Sequence, residues 1–310
     1  MIIVIMTGKG AAYFCPDLVF MKEFKFNPIR RILVPTDFSD NAQGATRYAA
    51  ALAERLGCKM LLFHTVRVPV VAMQETAVAA GTGGDIRLVE SALSLDRIKS
   101  EILAAHPAIH IDTKITIGLA VDEIIGYCNS RNADLIVMGT RGAHGIGEIL
   151  VGSNTAEVIA RSSCPVLAVP ENAEMKGLKK IIFATNYSDN DFQSIFLLTE
   201  IFKPWNPEII VVHAGENDNA GEENNRFEWF KSQVMTGISY DKFYFNLIDG
   251  EQPGQAVSDF ASQSGADIIT VSTRRRNLFE KMTSRSVSRK LAYHTHIPLL
   301  AFHTDKGTGL

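Results

Sequence analysis

Met138-Gly-Thr-Arg-Gly-Ala-His-Gly-Ile-Gly-Glu-Ile-Leu-Val-Gly-Ser-Asn154 is the stretch on which the fold turns. The apolar run Leu135-Ile136-Val137 leads into it as a buried strand would, and a helix-like pattern opens at Ser153. A strand, a glycine-rich loop and a helix N-terminus in that order suit phosphate. Glycines let backbone N–H groups approach an anion without Cβ clashes, and the unpaired amides and dipole of a new helix favour negative charge. Taken alone, such a loop serves equally well to turn the chain.

Upstream, Arg31-Ile-Leu-Val-Pro-Thr36 reads as a strand and Ser39 as an N-cap. Ala45, Tyr48, Ala49, Leu52, Ala53 and Leu56 then recur at helical spacing until Gly57 closes the helix. Lys59 to Thr65 is a second strand. A long connection from Val68 to Gly84 precedes a helix expected over Asp85 to Ala105, and Ile109 to Ile117 alternates as a third strand. Val121 to Ser130 reads as helix, Asp134 to Met138 as strand, Ser153 to Ser162 as helix and Pro165 to Val169 as a fifth strand. Strands alternating with helices, most of them apolar throughout, predict an α/β fold with a doubly wound parallel sheet covered on both faces.

The pattern then starts again. Lys180-Ile-Ile-Phe-Ala-Thr-Asn-Tyr-Ser-Asp-Asn190 repeats Arg31-Ile-Leu-Val-Pro-Thr-Asp-Phe-Ser-Asp-Asn41 without a gap. Ala266 to Arg274 repeats Ala133 to Arg141, and Ile297 to Ala301 repeats Cys164 to Ala168. The chain is thus read as two tandem domains of one fold, 29–171 and 178–304, joined by the polar segment Glu171 to Gly177 and packed as a pseudo-twofold pair. Residues 1–28 show no clear periodicity, and Met21 is the expected natural start.

Hydrophobic residues make up 46% of the chain and charged ones 21%, an ordinary globular balance, and the formal charge of −3 gives no global reason to expect nucleic acid or anionic membrane as a partner. No run reaches the roughly 18 apolar residues of a membrane helix. The apolar start Met1 to Met6 is too short for a signal peptide and lacks a basic region, so the expected location is cytoplasmic. Cys15, Cys58, Cys128 and Cys164 form no CxxC or His/Cys cluster, and reduced thiols without a metal site or disulfide framework are expected.

Val34-Pro-Thr-Asp-Phe-Ser39, the His-Thr-Val after the second strand, the run Ala133 to Gly142 with its spacing Gly139-x2-Gly142-x9-Gly152-Ser153, and the closing Cys164-Pro-Val-Leu-Ala-Val-Pro170 resemble the universal stress protein family. The resemblance extends from about Ile29 to the C-terminus. It implies a five-stranded parallel sheet in each half, with an adenine nucleotide at the carboxyl ends of strands one and four. That position agrees with the rule that ligands of open α/β sheets sit where strand order reverses.

By the same resemblance, Pro35, Thr36 and Asp37 border the adenosine and the backbone near Thr65 touches the base. Gly139, Gly142, Gly152, Ser153 and Asn154 hold the phosphates of ATP, or of ADP or AMP, Met138 and Arg141 also belong to the nucleotide site, and Mg²⁺ arrives with those phosphates rather than on protein ligands. Asp37 suits ribose hydroxyls or the adenine amine, because beside a triphosphate it is repelled unless a divalent ion intervenes. Its competing role is to cap the following helix, and Ser153 is likewise an acceptable N-cap. The terminal strands of the two halves, Pro165 to Val169 and Pro298 to Phe302, are short and apolar, and pairing them with each other satisfies both within one chain. A further homodimer stays open.

The second half supplies a control. Gly139, Gly142 and Gly152 correspond to Ser272, Arg275 and Arg285, and Asp37 to Asn186, while Ser153 is kept as Ser286. One nucleotide per chain, in the first half, is the expectation. Arg274-Arg275-Arg276, with Lys281, Arg285, Arg289 and Lys290, reads either as an anion site or as a solvated face bridged to the acidic stretch around Glu222.

No Walker lysine, Gly-x-Ser-x-Gly elbow or HExxH is present. Of the histidines, only His64 and His144 fall near the nucleotide, and His64 reads as a hydrogen-bonded strand-end residue rather than a base. The sequence therefore points to a nucleotide-binding stress or signalling protein acting on an unknown protein partner, not an efficient enzyme. The alternatives are a nucleotide-independent scaffold and a slow ATPase.

Overall fold

Alternation of apolar side chains along each strand sends them into two separate cores, one on each face of a sheet. Ile32 and Val34 enter one core and Leu33 the other; Met60 and Leu62 are divided in the same way from Leu61 and Phe63, and Leu135 and Val137 from Ile136 and Met138. The computed structural model describes residues 26–67, 77–130, 132–140, 152–215, 220–273 and 296–303. The N-terminal segment through residue 25, with Met21, and the Arg274–Arg276 cluster lie outside them.

In chain order the first half contains β1 (Arg31–Pro35), α1 (Asp40–Leu56), β2 (Lys59–Val66), α2 (Ala77–Ala105), β3 (Ile111–Ile117), α3 (Ala120–Asn129), β4 (Leu135–Gly139), α4 (Ser153–Arg161) and β5 (Val166–Val169). The second contains β6 (Lys180–Ala184), α5 (Asp189–Phe202), β7 (Glu208–Gly215), α6 (Ala220–Gly237), β8 (Phe243–Asp249), α7 (Pro253–Gln263), β9 (Ile268–Thr273) and β10 (Leu299–His303). One face carries α1, α2, α5 and α6, and the other α3, α4 and α7.

The strands form a single ten-stranded sheet in the order β3-β2-β1-β4-β5-β10-β9-β6-β7-β8, which reads the same from either edge. Every pairing is parallel except the central one. There β5 and β10 run antiparallel, with Leu299 opposite Ala168, Leu300 opposite Leu167 and Ala301 opposite Val166. The two five-stranded halves thus merge through the strands expected to pair, and the edges left over are β3 and β8.

Local signals place several boundaries. Ser39 caps α1 by accepting from the Ala42 N–H at 3.2 Å, and Gly57 ends that helix at φ 64°, a left-handed conformation that favours glycine. By contrast α2 begins at Ala77, within the expected connection from Val68 to Gly84. Its glycine cluster reads as loop because each glycine weakens a helix, yet extending a helix already anchored by Leu95, Ile98 and Ile102 is far less costly than nucleating one.

The cysteine expectation is also corrected. Cys128, at the end of α3, is disulfide-bonded to Cys164, just before β5, with their Cα atoms 6.3 Å apart, while Cys58 is free and buried. The two are distant in sequence, but α3 crosses back beside the start of β5, so sequence spacing did not bound their distance. Among the described residues no helix is long and apolar enough to cross a membrane.

Candidate functional site

The site is built where β1 ends. The Thr36 N–H donates to the Phe63 carbonyl at 2.9 Å, extending the β1–β2 ladder by one residue. The chain then turns sharply, with Phe38 at φ 68° and its N–H donating to Thr36 Oγ1 at 3.1 Å. Asp37 Oδ1 accepts from both the N–H (3.1 Å) and the hydroxyl (2.6 Å) of Ser39. Ser39, not Asp37, is therefore the cap of α1, and Asp37 holds the capping serine in place.

His64 approaches the Thr36 carbonyl through Nδ1 at 2.8 Å. A carbonyl only accepts, so Nδ1 carries the proton and Nε2 of the neutral ring is an acceptor. The imidazole lies against the Phe38 ring with centroids 4.3 Å apart. His64 is thus the hydrogen-bonded strand-end residue anticipated from sequence.

At the end of β4, Gly139 is required by close approach rather than by φ. A Cβ there would lie 2.1 Å from Asn41 Oδ1 and 3.1 Å from the Asn41 carbonyl oxygen. The Gly139 carbonyl accepts from Thr155 Oγ1 at 2.8 Å, and Gly152 N–H donates to the Thr140 carbonyl, so α4 starts beside the end of β4. Gly152 occupies the cap position of α4 with no side-chain cap, and Ser153 is the first helical residue. This corrects the reading of Ser153 as N-cap. Among the described residues no side chain caps the first amides at the positive dipole end of this helix.

A cleft of about 370 Å³ opens between these pieces. Of the residues expected around a ligand, Pro35, Thr36, Asp37, Thr65, Met138, Gly139, Gly152, Ser153 and Asn154 line it together. Arg141, Gly142 and His144 lie outside the described residues. The cleft also has walls that the sequence reading did not assign. They are Ala42 of α1, Phe63 and Arg67 from β2 and its end, Ala120 and Ile124 of α3, and Thr155 of α4. Ala120 and Ile124, four apart on one helix face, were the readable signal among these.

The second half repeats the turn and then closes it. Tyr187 takes the Phe38 role at φ 60°, and His213 Nδ1 donates to the Thr185 carbonyl at 2.8 Å while stacking on Tyr187 at 4.2 Å. The repeat, however, puts Asp191 where the first half has Ala42. Asp191 is 1% exposed. Its carboxylate accepts from Thr185 Oγ1 and Ser188 Oγ at 2.7 Å and from the Asn186 and Ser188 N–H groups at 3.1 Å. Burial pushes this carboxyl above the ordinary carboxylate range, against the pull of those four donors. On the far side, Glu223 of α6 lies 2.9 Å from His213 Nε2, and burial beside Glu223 raises the Tyr187 hydroxyl. The equivalent turn is thus occupied by the chain's own carboxylates.

Fold and site together define a tandem α/β protein whose open cleft, at the carboxyl ends of β1, β2 and β4, belongs to the first half. The universal stress protein family profile matches residues 28–170 and 245–303, and the chain belongs to the universal stress protein family. The unmatched stretch between them includes β6, α5 and β7, whose parallel pairing and order nonetheless copy β1, α1 and β2.

Among its relatives, a universal stress protein of Methanocaldococcus jannaschii is 31% identical over 147 residues, covering 46% of this chain and 83% of that protein. One from Thermus aquaticus is 30% identical over 140 residues, covering 45% of this chain and 98% of that protein. In structure, the chain resembles a universal stress protein of Archaeoglobus fulgidus with a TM-score of 0.63 and 18% identity, over 88% of this chain and 98% of that one, which establishes the shared fold.

Proposed function

We propose that the first half binds an adenine nucleotide, ATP with its Mg²⁺, and that the second half does not. The observation that carries this reading is the N-terminus of α4, with glycine at its cap position, opening onto the cleft beside Gly139 and Ala42, against Asp191 at the place of Ala42 in the second half. The residues suit the ligand. Gly139 and Gly152 keep backbone at the surface, and the amides of Ser153 and Asn154 lie at the positive end of a helix. Thr36, Asp37 and the lone pair of His64 Nε2 supply polar partners for the nucleoside, and the volume falls in the range of small-molecule sites. ADP and AMP fit the same nucleoside wall with fewer phosphates.

The chain is read as a binding protein rather than an efficient enzyme. His64 directs Nδ1 at the Thr36 carbonyl, which fixes the ring as part of the cleft wall and suits it to recognition. Coupling to a partner has a physical route: Arg87 of α2 donates to the Arg67 carbonyl at 3.3 Å, and α2 exposes the apolar stripe Ile86, Val89 and Leu93.

Thermal unfolding of the full chain with and without Mg²⁺-ATP tests the reading, with Gly142→Arg, the second-half residue, as comparison. Ligand at about a hundredfold its Kd stabilises the folded state by about 2.7 kcal/mol, and the natural sequence is expected to shift while the variant does not. Absence of a shift in nucleotide-free natural protein would favour a scaffold that keeps the fold alone.

A further inference from the structure

We propose that the first-half cleft takes an adenine nucleotide carrying a second phosphate on its ribose, at the 2′ or 3′ position, and that Arg67 supported by Arg87 recognises it. The inference rests on the adenine-nucleotide reading of this site and adds the class of nucleotide.

Arg67 directly follows β2 and lines the cleft on the same alternation as Phe63 and Thr65. Arg87 of α2 donates through Nη1 to the main-chain carbonyl of Arg67 at 3.3 Å, which ties the backbone that carries Arg67 to a second element. Neither forms an ion pair among the described residues. A guanidinium at the cleft rim without an ion-pair partner among the described residues favours an anion, and guanidinium forks fit phosphate.

This positive rim is distinct from the α4 N-terminus. Strands β2 and β4 flank β1, which puts their backbones about 10 Å apart at the usual strand spacing. A nucleotide whose 5′-phosphates rest on α4 lays its sugar over the end of β1, beside Asp37, and turns its other edge toward Arg67. Asp37 calls for one free hydroxyl, which leaves the second for the phosphate. The repeat gives the contrast: Arg67 corresponds to Glu216, as Ala42 does to Asp191, so both positions that favour an anion in the first half carry a carboxylate in the second.

Calorimetric titration of the full chain with AMP, adenosine 3′,5′-bisphosphate and adenosine 2′,5′-bisphosphate at one ionic strength tests the proposal. In the natural sequence one bisphosphate is expected to bind at least about tenfold tighter than AMP, the scale of a charge-assisted contact, and which one identifies the ribose position. In Arg67→Gln, an exposed position, that ratio falls to near one. Equal binding of AMP and both bisphosphates, or a ratio that survives Arg67→Gln, overturns the proposal while leaving adenine-nucleotide binding intact. Failure of AMP, ATP and both bisphosphates to bind overturns the adenine-nucleotide reading and this inference with it.

Discussion

Ala42→Asp should abolish nucleotide binding and leave the chain folded. Ala42 is 4% exposed and lines the cleft, and the same turn in the second half already accommodates an aspartate. There, Asp191 draws on one threonine hydroxyl, one serine hydroxyl and two backbone amides. A carboxylate at position 42 would meet the equivalent donors, those of Thr36, Asp37 and Ser39, of which the first two line the cleft, and would set a negative charge beside the proposed phosphate site. Loss of one or two contacts worth 1.5–3 kcal/mol each, with repulsion added, predicts a Kd raised by at least about a hundredfold. Titration with Mg²⁺-ATP measures the loss, and the ligand-free unfolding midpoint confirms that the variant folds.

The converse substitution acts on stability. Asp191→Ala leaves the Thr185 and Ser188 hydroxyls and two amides without their acceptor in a closed turn, and these groups cannot all reach water. Removing one side of a buried charge-assisted network costs about 3 kcal/mol, and denaturant unfolding should show a lower midpoint with an unchanged slope. Asp191→Asn, which retains an acceptor of similar shape, should lose less. A loss under about 0.5 kcal/mol for the alanine variant would mean that the turn relaxes and that Asp191 does not hold it closed.

Much of this architecture was legible because it rests on period and repetition. Ile32, Leu33 and Val34 are apolar in succession because both faces of the sheet are covered, and the gapless match of Lys180–Asn190 to Arg31–Asn41 announced a second copy. Nine of the residues drawn from Pro35–Asp37, Thr65 and the segments around Gly139 and Gly152 share one cleft because they sit at strand ends and a helix start, which sequence marks with proline, glycine and serine.

What was illegible depends on contacts across elements. Asp191 lies in an ordinary helix-start composition, and only the fold shows that its carboxylate fills the turn. Arg67 lies just past a strand, where a single charge carries no periodic signal. Cys128 and Cys164 meet because α3 and β5 are neighbours in space. The cap of α4 falls on Gly152, one position before Ser153, because glycine and serine compete for that place.

The central claim is that one half is open to nucleotide and the other filled by its own carboxylates. Calorimetric stoichiometry of Mg²⁺-ATP on the full chain tests it most directly. One nucleotide per chain, lost in Ala42→Asp, is the expected result. Two per chain, or one that survives Ala42→Asp, would contradict it.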